Sequence, residues 1–118
     1  RYMIKRHGGM FAKGRLLGIQ FETLFEDGLY YDISAHALKM AELIRSALEE
    51  KSIPLFIDSP TNQLFPILTE AQRRALAEKY TLSRWKELDD GRTVMRICTS
   101  WATTEENARA LAADIRSL

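Results

Sequence analysis

A single cysteine, Cys98, stands in the 118 residues. One thiol excludes an internal disulfide and fits a reducing, cytoplasmic compartment. No apolar run approaches the roughly 18–20 residues that a membrane-spanning helix needs. No charge of one sign dominates either: 17 basic and 16 acidic residues leave a net +1. That balance provides no broad field for recruiting nucleic acid or a membrane surface. There is no phosphate-cradling glycine loop, since Gly8-Gly9 stands alone. The two histidines, His7 and His36, make no metal-ligand set, and no metal site is expected. Ser34 near His36 is not a nucleophile arrangement. The opening "RYMIKRHGG" has neither an initiator Met nor a signal-peptide pattern. It reads as the tail of a helix already under way, so the expectation is a piece of a larger protein.

What is present is enough for one ordinary domain. Residues 1–6 read as a helix end stopped by Gly8-Gly9. A second helix is expected from about Met10 to Phe25, because Met10, Leu17, Phe21, Leu24 and Phe25 share one face. Gly14 and Gly18, four apart on it, are either a tolerated weak spot or a place where another backbone comes close. After the "EDG" turn, a long helix is expected from Leu29 to Lys51. Its buried stripe would be Ile33, Ala37, Met40, Ile44, Ala47 and Leu48.

The pattern changes at Pro54. "PLFID" and "NQLFPIL", parted by the turn "SPTN", read as strands near 54–58 and 62–68, with Pro66 marking an edge or a bulge. Thr69 is a candidate N-cap for a helix to about Lys79. Strands near 82–88 and 92–99 form a hairpin around Asp89-Asp90-Gly91. A last helix would be capped by Thr103, with Glu106 as capping-box partner. The sum is an α+β fold: N-terminal helices, then β-β-α-β-β-α, with a small, mostly antiparallel sheet covered by helices. Residues 1–51 would carry the linking and long helices, and residues 52–118 the α+β small domain. The stripes of the first long helices exceed what four strands cover, so a further partner is expected to complete that core.

Chemistry is sparse. In the strand 92–98, Val94, Arg96 and Cys98 share one face, while Met95, Ile97 and Thr99 share the other. A guanidinium beside Val and Cys is costly unless paired. Three readings remain open: a structural carboxylate pairs it, that face is wet, or Arg96 awaits an anionic ligand that suits its planar fork. Cys98 reads as a small buried hydrophobe, and Trp85 and Trp101 as core or interface anchors. Lys5, Arg6, His7, Lys13 and Arg15 make a basic cluster around Gly8-Gly9. It is either a solvated loop or a phosphate contact near a helix N-terminus.

"RHGGMFAKGRLLGIQFETLF", "DSPTNQLFPIL" and "VMRICTSWATTEE", in this order, resemble the C-terminal part of low-specificity threonine aldolases. These belong to the β-eliminating-lyase group of pyridoxal-phosphate enzymes with the aspartate-aminotransferase fold. The resemblance implies the small domain of that fold, with the catalytic large domain absent from this chain. It implies pyridoxal phosphate in the full-length parent, held by a lysine upstream, and no cofactor on this piece alone. None of Lys5, Lys13, Lys39, Lys51, Lys79 or Lys86 matches the family's lysine motif. No catalytic residue is therefore expected here, and the piece alone is expected to be inactive. Arg96 matches the arginine that binds the substrate α-carboxylate. Asn62 matches a small-domain strand position with no assigned role. The Gly8-Gly9-Met10 turn matches a glycine-rich turn where the family often has an arginine after the Met. Phe11 stands there instead, which leaves Arg6 or Lys13 as substitutes for a cofactor contact. The implied activity is cleavage of threonine or allo-threonine to glycine and an aldehyde, in a homo-oligomer. The alternatives are a β-eliminating lyase for an aromatic amino acid, or a non-catalytic dimerisation module.

Overall fold

The computed structural model describes all 118 residues. By its internal contacts the chain divides into two units, Arg1–Asp32 and Ile33–Leu118.

In the first unit, α1 (Tyr2–Arg6) ends at Gly8, whose φ of +70° is open to glycine at no steric cost. The Gly8 and Gly9 amides then donate back to the Lys5 and Ile4 carbonyls, satisfying two orphan acceptors of the last turn. Helix α2 runs over Gly14–Phe25, four residues later than expected. The delay has a local cause. Met10-Phe11-Ala12-Lys13 contains no Ser, Thr, Asp or Asn, and Lys13 stands at the N-cap without a capping side chain. Nothing lies within 4 Å of the Cβ position of Gly18, so no backbone of this chain comes close there. A 3-10 turn at Glu26–Gly28 follows, with Phe25 in ring contact with Tyr30 and Tyr31 across it. No residue of this unit is buried.

The second unit is organised by α3 (Leu29–Glu50), which supplies one wall of a continuous core. Ala37, Met40, Ala41, Ile44, Ala47 and Leu48 are buried on it, at the three- and four-residue spacing of one inward stripe. Four short strands form an antiparallel sheet: β1 (Gln63–Leu64), β2 (Ile67–Leu68), β3 (Ser83–Glu87) and β4 (Thr93–Cys98). Strand β4 is the centre. It pairs with β1 and β2 on one side and with β3 on the other. The turn before β4 closes on Gly91, at φ +82°.

The expected strand at 54–58 does not form. Leu55 makes one bridge to Pro66 and nothing more. The expected strand at 62–68 is cut into β1 and β2 at Phe65-Pro66. Proline has no amide to donate, so a continuous ladder cannot run through that position. The Pro66 carbonyl still accepts from the Met95 amide at 3.0 Å, which keeps the two short strands on one line.

Helix α4 (Glu70–Ala77) starts at Thr69 as expected, and Gln72 completes a reciprocal capping box. Helix α5 (Glu105–Arg116) starts one residue later than expected. Thr104, not Thr103, is the N-cap, and it accepts from the Asn107 amide. Thr103 is used before the helix instead, where its hydroxyl accepts from the Ser100 amide at 2.9 Å. Ala108, Leu111, Ala112 and Ile115 of α5 complete the core with Leu64, Leu68, Met95 and Ile97 of the sheet.

Candidate functional site

Strand β4 alternates as its sequence dictates. Met95 and Ile97 point into the helix-covered core, at 4% and 5% exposure. Val94, Arg96 and Cys98 therefore stand on the opposite face. Their register partners Ile67, Ser83 and Gln63 share that face with them.

Arg96 is half-buried there, and its Nε is fully buried without a hydrogen-bond partner. No carboxylate lies within ion-pair distance of it. Leaving a buried donor unmade costs about 1–3 kcal/mol, so such an atom in a folded chain needs a reason. Arg45 makes the contrast. It too is largely covered, but its guanidinium is committed to the Ser59 carbonyl, to Asp58 at 3.2 Å and to Glu42 at 3.6 Å. Arg73, Arg74, Arg84, Arg92, Arg109 and Arg116 each hold a carboxylate as well. Of the three readings of Arg96, pairing with a structural carboxylate is thus removed.

Arg96 does have one neighbour. Its guanidinium lies over the Trp85 ring, 5.6 Å from the centroid, and Trp85 meets Phe65 edge-on at 5.3 Å. Beside them the Lys86 ammonium lies 5.5 Å from the Phe56 centroid. Two cations resting on aromatic rings thus occupy the sheet face opposite the helix-lined core. Next to Arg96 the edge of β4 opens on a recess of about 310 Å³, lined by Tyr80–Ser83, Arg96–Cys98 and Leu111.

Side-chain ties hold the end of β4 in place. Asn62 Nδ2 donates to the Thr99 carbonyl at 2.5 Å, and Thr99 Oγ1 donates to the Ala37 carbonyl of α3 at 2.7 Å. His36 Nε2 donates to the Thr103 carbonyl at 2.7 Å. Asn62 therefore fastens the end of the strand that carries Arg96, and His36 the loop that follows it. Cys98 is exposed, not buried as expected, although Val94 on the same face is 0% exposed. Trp101 is 70% exposed and Trp85 51%, so neither is a core residue of this chain.

Arg6 and Lys13 are both exposed and belong to the first unit, in which nothing is buried. They form no enclosed cradle that would suit a cofactor phosphate. The lysines do not offer an enclosed amine either. Lys39 and Lys79 pair with Glu105 and Asp114, Lys86 rests on Phe56, and Lys5, Lys13 and Lys51 are exposed. The residues present do not by themselves make a pyridoxal-phosphate site. Trp85, expected as a core or interface anchor, is instead the ring neighbour of Arg96. Its place two positions after Ser83, across the hairpin from Arg96, was the available signal.

A four-stranded antiparallel sheet, with helices packed on one face and an arginine without a carboxylate partner on the other, defines the class: a small α+β domain. Over 122 aligned positions the chain is 31% identical to the low specificity L-threonine aldolase of Pseudomonas sp. (strain NCIMB 10558), covering 99% of the chain and 33% of that enzyme. Its fold matches Leishmania major threonine aldolase with a TM-score of 0.88 and 40% identity, over 99% of the chain and 34% of that protein. No protein-family model matches. The chain spans about a third of the length of the threonine aldolases it is similar to.

Proposed function

We propose that the chain is the small-domain portion of a pyridoxal-phosphate-dependent aldolase that cleaves β-hydroxy amino acids to glycine and an aldehyde. In this reading Arg96 binds the substrate α-carboxylate. The observation that carries it is the arginine itself, half-buried on the sheet face opposite the core, with its Nε unsatisfied and no carboxylate of its own. The likeness to two threonine aldolases across the chain supports the reaction class.

The cofactor belongs to the segments that the relatives have besides this one, and its ring would accept the electrons of the broken Cα–Cβ bond. What this chain contributes is orientation. A guanidinium fork holds a carboxylate in one plane through two parallel hydrogen bonds, which fixes the direction of the remaining bonds at Cα. The end of the strand that carries the fork is tied by Asn62 and by Thr99 to α3.

The test is Arg96→Leu in the full-length enzyme. Loss of a charge-assisted hydrogen bond of about 1.5–3 kcal/mol raises KM for threonine about tenfold to a hundredfold. Cofactor binding, read by absorbance, stays intact. Arg96→Lys rescues poorly, because an ammonium lacks the planar fork. An unchanged KM removes Arg96 from the site. The 118-residue chain alone is expected to cleave nothing and to give no saturable, stoichiometric absorbance band with pyridoxal phosphate. Turnover of threonine and allo-threonine, set against tyrosine, separates the aldolase from a β-eliminating lyase.

A further inference from the structure

We infer that Trp85 is a positioning residue for Arg96: its indole forms the platform on which the guanidinium lies, held ready for a carboxylate. The inference rests on the reading of Arg96 as the carboxylate anchor and adds to it the device that aims the anchor.

Three observations carry it. The first is the cation–ring contact itself, with the guanidinium carbon 5.6 Å from the ring centroid. A cation at that distance over an indole face is attracted by the ring quadrupole. The second is a break in register. Ser83 pairs with Arg96 and Arg84 with Met95, but Lys86 pairs with Val94, so Trp85 is the extra residue of a β-bulge. A bulge re-aims the side chain it carries and bends its strand. Here it turns the largest side chain of β3 onto the guanidinium. The third is that Trp85 is itself braced. Phe65 stands edge-on to it at 5.3 Å, in the irregular step between β1 and β2 that Pro66 enforces.

The arrangement separates the two ends of the arginine head. Nε is buried and unpaired, while the guanidinium carbon lies over the indole. The terminal Nη groups are then the ones left to meet a ligand in bidentate fashion. A flexible arginine would have to be ordered at each binding event. A stacked one has that freedom already removed, which favours binding of a planar anion. Half the surface of Trp85 remains exposed, as befits a residue that touches whatever occupies the face.

The experiment uses the full-length protein with Trp85→Ala and Trp85→Phe, first read without any turnover. Arginine labelling by phenylglyoxal, followed at the Arg96 peptide by mass spectrometry, reports how firmly the guanidinium is held. Loss of the indole face is expected to speed labelling of Arg96 about fivefold, with Trp85→Phe between the two. The Arg92 peptide, paired with Asp90, serves as the internal control and keeps its rate. An unchanged Arg96 rate in Trp85→Ala overturns the inference. KM for threonine is then measured in the single variants and in Trp85→Ala combined with Arg96→Leu. A positioning residue raises KM in the presence of Arg96 and adds nothing in its absence. Equal effects in both backgrounds assign Trp85 a purely structural part and overturn the inference. If glycine fails to protect Arg96 from labelling, the carboxylate reading fails, and that result is distinct from a failure of the platform.

Discussion

At Tyr80 two effects push in one direction. Burial disfavours the phenolate, and the hydroxyl donates to Asp114 Oδ2 at 2.6 Å, so its pKa is pushed up to about 12. The folded value lies above the ordinary one of 10.0, so the folded state gains stability that is fully present below pH 10. That gain is lost as pH rises through about 12. Denaturant midpoints measured across this window should fall in the wild type. They should fall less in Tyr80→Phe, and a decline as steep as wild type would contradict the assignment. Asp114 sits on the opposite limb. Lys79 first, then Tyr80, hold its carboxyl below the usual range, so its contribution is lost as pH falls. At this scale the sequence was partly legible. Alternation alone placed Arg96 opposite the core-facing Met95 and Ile97. Cys98, expected to be buried as a small hydrophobe, is exposed, because what covers each part of a sheet face is a tertiary fact.

Helix starts show what local chemistry decides. Thr69 was readable as a cap, and its box with Gln72 follows from spacing. The start of α5 offered Thr103 and Thr104 in tandem, and the chain uses both, for different amides. Thr104→Ala should destabilise the domain by about 1 kcal/mol. Glu106→Ala, at the position expected to complete a box, should change stability little. Thermal melts of the two variants decide between Thr104 and Thr103 as the cap. Strands were harder to read than helices. The apolar run 54–58 has the composition of a strand, but its neighbour presents Pro66, and one bridge is all that results. The bulge at Trp85 leaves no local signature, because an extra residue is defined only against the partner strand.

At the scale of the whole chain, burial separates the two units. The fourteen residues of the core cluster all lie between Met40 and Ile115, in the second unit, while Arg1–Asp32 buries nothing. Amide hydrogen exchange should follow this division. The slowest amides are expected in β4 and the middle of α3, and rates near those of an unfolded chain are expected across α1 and α2. Strong protection in α1 and α2 would contradict the assignment. Ile44→Ala, on the buried stripe of α3, should cost about 2–5 kcal/mol, read by denaturant unfolding. The expectation that the first helices present more apolar surface than this chain covers was legible from their stripes. Phe21, Phe25 and Tyr31 stand more than half exposed, at 64%, 51% and 66%.

Cys98, two residues beyond Arg96 on the same face, has a practical consequence. No second thiol competes with it in these 118 residues. A maleimide fluorophore attached there would sit beside the arginine without any engineered cysteine. Its emission would report each arrival and departure at that face in real time.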